Sequence, residues 1–198
     1  MTRQVGITGG IGAGKSIVCQ IFSALGVPVY AADVRAKYII EHDASLKKQI
    51  VELLGPRAYL ANGDYDRAWV AAQVFNNQHL LQNLNELVHP RVFEDTNAWA
   101  AKHQHQPYVL KEAAIMNKRA GDGNALHKII LVTAPLALRL DRIGARDPQR
   151  SAQQILDIIE RQMPDEKRQL LADYVIVNDQ RRPLIDQVLA LDAVLRNA

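Results

Sequence analysis

The chain has 198 residues, of which 48% are hydrophobic and 23% are charged. This length allows one compact domain, with or without an inserted subdomain, and excludes two independent enzymes. The composition is that of a globular protein and excludes disordered and collagen-like chains. A formal net charge of +3 is too small to indicate a protein that wraps nucleic acid.

The cellular compartment is predicted from cysteine usage and from apolar runs. Cys19 is the single cysteine of the sequence, so no internal disulfide bond can form. The first residues lead into a short apolar stretch broken by glycine, unlike a signal peptide. No apolar run reaches the length that spans a bilayer. We therefore expect a cytoplasmic protein without a membrane partner.

The first forty residues predict a βαβ unit. Residues 5–8 form an apolar run that ends in glycines, and apolar residues then recur at helical spacing over residues 17–25. Residues 27–32 predict a second strand, and a helix is expected to follow it through residue 40. Two strands joined by a helix form the βαβ unit.

The next sixty residues, 45–104, show successive helical patterns without a convincing strand. Ser45 is expected to cap a helix over residues 46–54, and Asp66 a helix over residues 67–75. A third helix carries one apolar stripe, formed by Leu80, Leu81, Leu84, Leu87 and Val88. The pattern predicts a helical insertion with a surface turn at residues 62–64.

Strand patterns return at residues 108–110, 128–133 and 174–177, in alternation with helical patterns, and a last helix is expected over residues 184–195. Strands that alternate with helices are typical of a parallel sheet covered on both faces. The predicted fold class is therefore a three-layer α/β/α fold with a mostly parallel five-stranded sheet.

A phosphate-binding loop is predicted at residues 9–16, GGIGAGKS, which match GxxxxGK followed by Ser or Thr. Glycines let backbone N–H groups turn toward a phosphate, and a helix N-terminus adds partial positive charge. Lys15 is expected to bridge the β and γ phosphates of ATP, and the Ser16 hydroxyl to ligate Mg²⁺. A glycine turn that binds nothing is the alternative, but chance matches have odds of roughly one in a hundred. The predicted nucleotide-binding residues are Gly12, Ala13, Gly14, Lys15, Ser16 and Ile17.

Asp33 follows the second predicted strand. Ligands of an open parallel sheet bind beyond the carboxyl ends of its strands, so Asp33 is expected to share an edge with the phosphate loop. A carboxylate there can orient an acceptor hydroxyl and take its proton late in a phosphoryl transfer. The alternative is that Asp33 caps a helix beginning at Val34.

An arginine face is predicted on a helix after residue 135, because Arg139, Arg142 and Arg146 fall three and four residues apart. No acidic residue lies three or four positions from them, and the adjacent Asp141 and Asp147 are expected to point elsewhere. Such a face predicts contact with phosphate. A solvated basic face is the alternative, although a nearby glycine and proline favour a hinged lid.

These motifs resemble the dephospho-CoA kinase family, which phosphorylates the ribose 3′-hydroxyl of dephospho-CoA with ATP in the last step of CoA synthesis. The resemblance covers nearly the whole chain, and residues 6–16, GITGGIGAGKS, are similar to the family's GLTGGIGSGKS. It implies one P-loop kinase domain over residues 1–198. Within it, the resemblance implies a helical CoA-binding subdomain over residues 45–105 and a lid over residues 136–165.

The resemblance also implies residues that contact the acceptor. Asp33 falls where the family has the last acid of an Asp-Ala-Asp motif, to which acceptor binding and proton removal are attributed. Lys37 matches a basic position on the following helix. His89 belongs to a His-Pro dipeptide similar to that of the family's CoA-binding region.

On the ATP side, Arg142 and Arg146 are similar to the family's lid motif, with Arg146 as the phosphate contact. Asn178 ends a strand pattern whose following loop lies near adenine in the family. The implied catalytic residues are Lys15, Asp33 and Arg146.

Two positions depart from the family pattern. Ala31 replaces the first acid of the Asp-Ala-Asp motif, and Asn117 stands where the family has the acid of Pro-Leu-Leu-Phe-Glu. Glu112 lies close by in sequence, and whether it takes over that role stays open.

Other functions are less well supported. Another small-molecule or nucleotide kinase of the same fold is the nearest alternative. A GTP-binding switch is disfavoured because DRIG at residues 141–144 lies inside a predicted helix. A nucleic-acid-dependent ATPase would need a broad basic surface and a second acid beside Glu112. We expect dephospho-CoA as partner, no nucleic acid, and a monomer or weak homo-oligomer.

Overall fold

The computed structural model describes residues 2–75, 77–113 and 126–197, and within them five strands form one sheet. The strands are β1 (Arg3–Thr8), β2 (Val29–Ala31), β3 (Tyr108–Glu112), β4 (Lys128–Thr133) and β5 (Tyr174–Val177). Their order is β2-β3-β1-β4-β5, and every neighbouring pair is parallel. The carboxyl ends of all five strands therefore lie at one edge of the sheet.

The helices of the described part are α1 (Lys15–Ala24), α2 (Ala32–His42), α3 (Ala44–Leu54), α4 (Arg67–Val74), α5 (Gln78–Lys102), α6 (Leu136–Arg146), α7 (Ala152–Glu160), α8 (Asp165–Leu171) and α9 (Leu184–Asn197). A short 3₁₀ turn covers Pro56–Ala58. No helix among the described residues is both long and apolar enough to cross a bilayer.

The first compact unit comprises Met1–Ala31 and Ala100–Ala198 and holds the sheet. Its core joins buried side chains of β1, β3 and β4 to α1 and α9, among them Ile7, Leu110, Ile130, Phe22 and Val188. Burial on both faces explains why these strands are continuous apolar runs. The predicted α/β/α fold class is confirmed, and the described sheet is entirely parallel.

The predicted strand bounds are confirmed for β4 and β5, whereas β2 is shorter than residues 27–32. The Val27 N–H donates to the Phe22 carbonyl at 3.1 Å, at the C-terminal end of α1, instead of joining the sheet. Val27 is 3% exposed and packs in the core, so its apolar character reports burial outside a strand.

The second compact unit, Ala32–Trp99, is helical and has a core of its own. That core includes Ile39 of α2, Leu46 and Ile50 of α3, Val70 of α4 and Leu84 of α5. Because α2 contributes to this core, the compact unit begins at Ala32, whereas the predicted helical insertion begins at residue 45.

Two sequence predictions within this unit are wrong. The cap of α3 is Asp43, whose side chain accepts a hydrogen bond from the Leu46 N–H at 3.0 Å, while Ser45 lies inside the helix. Leu81, which was predicted to belong to the apolar stripe of α5, does not lie on its buried face, since it is 40% exposed. The predicted cap of α4 is confirmed, because Asp66 accepts from the Trp69 N–H at 2.9 Å.

Candidate phosphate-binding site

The loop between β1 and α1 lies at the carboxyl edge of the sheet, directly after β1, which is the central strand. Gly12 and Gly14 have φ angles of 77° and 93°, in the left-handed region that favours glycine. Gly14 is the N-cap of α1 and offers no side-chain cap. The N–H groups of the first turn of α1 are therefore available to an anion.

Side chains from distant segments hold the carbonyl groups of this loop. Three successive carbonyls accept hydrogen bonds: Ile11 from Arg139 Nε (2.9 Å), Gly12 from Arg142 Nη1 (3.4 Å) and Ala13 from Asn178 Nδ2 (3.0 Å). In a trans peptide, the carbonyl and the next N–H point in opposite directions. The N–H groups of Gly12 and Gly14 therefore point away from these side chains, whereas the Ala13 N–H donates to the Gly10 carbonyl at 3.1 Å.

Lys15 folds back over the loop, where its Nζ donates to the Gly9 carbonyl at 3.0 Å. Ser16 and Ile17 follow in the first turn of α1, and both are exposed. The structure thus places the predicted nucleotide-binding residues together in the loop and the first turn of α1, with Ala13 buried in the core. Their contact with a nucleotide stays a prediction.

Arg142 and Asn178 meet beside the loop. The Arg142 Nη2 atom donates to both the backbone oxygen and the Oδ1 atom of Asn178, each at 3.2 Å. A Cβ added at Gly14 would collide with the Asn178 amide nitrogen, so glycine is required for this close approach. Both residues therefore lie next to the phosphate loop.

The predicted arginine face without acidic partners is wrong. Arg139 is 4% exposed and its Nη1 atom lies 2.7 Å from Asp165 Oδ2, an ion pair between α6 and α8. Asp165 follows Arg139 by 26 residues, so helical spacing could not reveal it. Buried pairing of this kind holds the arginine in place, whereas a solvated face would leave it mobile.

Arg146 also has an acidic partner, which is its neighbour in sequence. Its Nε and Nη2 atoms donate to the two carboxylate oxygens of Asp147 at 3.0 and 2.9 Å. Adjacent side chains diverge within a helix, but α6 ends at Arg146 and Asp147 lies beyond it. These hydrogen bonds lower the pKa of Asp147 and raise the pKa of Arg146.

A further group of polar side chains contacts the loop and was not predicted from the sequence. Gln162 Oε1 accepts a hydrogen bond from the Ile11 N–H at 2.9 Å. Arg168, 4% exposed, donates to Gln162 Oε1 at 3.4 Å and to Asp165 Oδ1 at 2.9 Å. The three-residue spacing of Asp165 and Arg168 on a helix was the one local signal of this group.

Glu112 is the last residue of β3, at the same edge of the sheet. It is in register with Ile7 of β1 and with Ala31 of β2. The pKa of Cys19 in α1 is raised to about 12, chiefly by burial and also by the Glu112 carboxylate, while Lys15 opposes the shift. Both charges therefore act at the start of α1. Asn117 lies outside the described residues.

Asp33, Lys37 and His89 belong to the second compact unit. Asp33 is the second residue of α2 and is exposed, so the alternative of a cap for a helix beginning at Val34 is wrong. Lys37 follows one turn later and is also exposed, which places both side chains on one face. His89 is exposed on α5, directly before Pro90.

Comparison with known proteins shows similarity over the whole length of the chain. The family model described as Dephospho-CoA kinase matches residues 3–183. The dephospho-CoA kinase of Bacteroides fragilis strain YCH46 is 35% identical over 195 residues, covering 98% of this chain and 94% of that protein. The dephospho-CoA kinase of Coxiella burnetii is 36% identical over 183 residues, covering 92% and 90%.

Two solved structures are also similar to this chain. TT1252 from Thermus thermophilus has a TM-score of 0.81 at 32% identity, covering 99% of this chain and 97% of that chain. The dephospho-CoA kinase from Campylobacter jejuni, with a TM-score of 0.64 at 21% identity, shares the fold. The sequence match, the fold and the phosphate loop together show that this chain belongs to the dephospho-CoA kinase family.

Proposed function

We propose a role for each site residue in the reaction of the family, which is the ATP-dependent phosphorylation of dephospho-CoA that completes CoA synthesis. One observation carries the proposal. Three successive loop carbonyls accept hydrogen bonds from Arg139, Arg142 and Asn178, which turns the N–H groups of Gly12 and Gly14 to the opposite side, while the Ala13 N–H donates to the Gly10 carbonyl. Fixed donors of this kind stabilise phosphate charge without reorganising during the reaction.

ATP binds with its phosphate tail on this loop and on the first turn of α1. Lys15 leaves the Gly9 carbonyl and bridges the β and γ phosphates, because an ammonium group gains more from two phosphates than from one carbonyl. Arg142 and Asn178 keep the loop in shape and line the nucleotide site next to Gly14. Ile17 contributes its backbone N–H from the first turn.

Mg²⁺ would be held by oxygen donors at the same edge of the sheet. The exposed Ser16 hydroxyl and the Glu112 carboxylate are hard ligands of the type that Mg²⁺ prefers, beside the phosphates themselves. The described residues contain no group of three or more His, Cys, Asp or Glu side chains that could form a separate cage. When bound with ATP, the ion neutralises phosphate charge.

Asp33 orients the ribose 3′-hydroxyl and accepts its proton. Its support is the family motif, its exposure, and its place two residues after Ala31, the last residue of β2. The helical region over residues 45–105 binds the rest of dephospho-CoA, with Lys37 and His89 offering donors to its phosphate groups. Proton transfer comes late in phosphoryl transfer, so the carboxylate acts chiefly by orienting the hydroxyl.

Arg146 supplies positive charge to the transferring phosphoryl group, as part of the lid over residues 136–165. Its side chain is 61% exposed and pairs with Asp147. Asp147 also contacts Arg150 at 3.4 Å, so its carboxylate keeps a cationic partner when Arg146 turns to the substrate. The cost of releasing Arg146 is therefore small.

The biological setting remains part of the proposal. A cytoplasmic enzyme without nucleic-acid partners accords with one cysteine and a net charge of +3. We expect a monomer or weak homo-oligomer, which sedimentation at micromolar concentration would test. A dimer that persists when the protein is diluted to nanomolar concentration would contradict this expectation.

The acceptor is tested with purified protein, ATP and Mg²⁺ against a panel of dephospho-CoA, adenosine, AMP and shikimate. We expect ADP release with dephospho-CoA alone, and mass spectrometry should show one phosphoryl group added to it. The product should coincide with CoA in chromatography. ATP consumption with AMP or shikimate, but not with dephospho-CoA, would overturn the proposal.

A further inference from the structure

The hydrogen bonds around Ile11 form a closed ring. The Ile11 N–H donates to Gln162 Oε1 at 2.9 Å, and the Ile11 carbonyl accepts from Arg139 Nε at 2.9 Å. Arg168 links Gln162 to one oxygen of Asp165, and Arg139 binds the other oxygen at 2.7 Å. We call the four side chains the Ile11 clamp: Arg139, Gln162, Asp165 and Arg168.

The two arginines of the clamp are buried, and the clamp carries excess positive charge. The side chains of Arg139 and Arg168 are each 5% exposed, and they share the single carboxylate of Asp165. A Cβ added at Gly10 would lie 2.7 Å from Arg139 Cζ and 3.0 Å from Arg168 Nη1, so both guanidinium groups pack directly on the loop backbone. Positive charge behind the loop favours an anion bound to it.

The clamp also fixes the two peptide planes on either side of Ile11. In the first plane, the Gly10 carbonyl accepts from the Ala13 N–H at 3.1 Å while the Ile11 N–H donates to Gln162. In the second, the Ile11 carbonyl accepts from Arg139, so the N–H of Gly12 must point the opposite way. The direction of the Gly12 N–H is thus set by residues far along the chain.

We propose that Gln162 is a positioning residue for ATP, which acts through the Ile11 N–H to hold the phosphate loop in its binding conformation. This inference rests on the proposed function, because it requires that the loop binds the phosphates of ATP. Gln162 is half-buried between α7 and α8 and supplies only an acceptor to Ile11. Without that acceptor the N–H loses its partner, and the loop gains alternative conformations that bind phosphate poorly.

The test compares two substitutions of Gln162, one that removes the hydrogen-bond acceptor and one that keeps it. Gln162→Met keeps the length of the side chain but removes the acceptor, whereas Gln162→Glu keeps an acceptor and adds a charge that suits Arg168. Gln169→Met is the matched control, because Gln169 is exposed on α8 and lies outside the proposed lid. Calorimetry gives the Kd for ATP, steady-state kinetics the KM of each substrate, and thermal unfolding the Tm.

We expect Gln162→Met to weaken ATP binding roughly tenfold, the effect of one lost hydrogen bond to a part-buried donor. The KM for dephospho-CoA should stay within about twofold of the wild-type value, and Gln162→Glu should recover ATP binding to within about threefold. Gln169→Met should behave as wild type.

Three results would overturn the inference. They are unchanged ATP binding in Gln162→Met, a defect in Gln162→Glu as large as that in Gln162→Met, and an equal loss for both substrates together with a lower Tm. Wild-type protein that fails to bind ATP would instead overturn the proposed function, so the two failures are distinguishable.

Discussion

Asn178 donates from its Nδ2 atom to the carbonyl oxygen of Ala13 at 3.0 Å, a hydrogen bond between residues 165 positions apart. Asn178 directly follows β5, and Ala13 lies in the loop after β1. These strands are not neighbours, because β4 lies between them. The hydrogen bond can therefore form only when β1, β4 and β5 are assembled in the sheet. The conformation of the phosphate loop thus depends on the folding of the sheet.

Asn178→Ala should raise the KM for ATP about tenfold, because the Ala13 carbonyl loses its donor and the Gly14 N–H loses its fixed direction. The KM for dephospho-CoA should change little. Asn197→Ala is the control, since Asn197 donates to the Ala193 carbonyl at the exposed end of α9. Equal KM values for ATP in the two variants would show that the Ala13 contact does not shape the site.

Gly12→Ala should both destabilise the fold and abolish ATP binding. A Cβ there would lie 2.8 Å from the Arg139 carbonyl oxygen, in addition to the strain of a φ of 77°. Gly26→Ala separates the two effects, because Gly26 has a φ of 82° with no atom within 4 Å of its Cβ position. We expect Gly26→Ala to cost about 1 kcal/mol in urea unfolding with normal activity. Similar losses in the two variants would contradict the steric explanation.

Asp33→Asn should lower kcat about a hundredfold while the Kd for ATP stays unchanged, because the amide cannot accept the hydroxyl proton. Glu52→Gln on α3 removes an exposed carboxylate of the same helical unit and should leave kcat unaltered. Stopped-flow measurement of a single turnover separates chemistry from product release. Loss of ATP affinity with a normal single-turnover rate would place Asp33 outside the proposed role.

Stability should fall at high pH through Cys19. Its pKa rises from 9.0 to about 12 on folding, chiefly by burial, so the folded chain keeps a proton that the unfolded chain loses. The stabilisation is therefore complete below pH 9 and is lost as the pH rises from 9 to 12.

This prediction is measured by urea unfolding of wild type and Cys19→Ala at two pH values, one on each side of the cysteine pKa of 9.0. The free energy of unfolding of wild type should fall more steeply, by up to about 1.4 kcal/mol per pH unit, than that of Cys19→Ala. Parallel slopes in the two proteins would show that the thiol ionises in the folded chain.

Local patterns predicted the elements of the sheet and the phosphate loop. The bounds of β4 and β5 were predicted correctly because both strands are short apolar runs flanked by polar residues. The glycines of the loop were recognised because their spacing reflects backbone geometry that other residues rarely adopt. Such features depend on neighbours in sequence, which a single sequence displays directly.

Long-range pairing could not be predicted in the same way. Gln162 is 151 residues from Ile11, and Asp165 is 26 residues from Arg139, so no spacing rule connects them. The correct cap of α3 was also missed, because Asp43 and Ser45 are both favoured caps and packing decided between them. Tertiary contacts thus determine which polar residues support the site.

The central claim is that the loop binds ATP through its phosphate groups, and calorimetry tests it most directly. Wild-type protein and Lys15→Ala are titrated with ATP and with adenosine, in the presence of Mg²⁺. We predict that wild type binds ATP at least a hundredfold more tightly than adenosine, and that Lys15→Ala loses most of this difference while keeping its Tm. Equal affinities of wild type for ATP and adenosine, or no heat with ATP, would contradict the account.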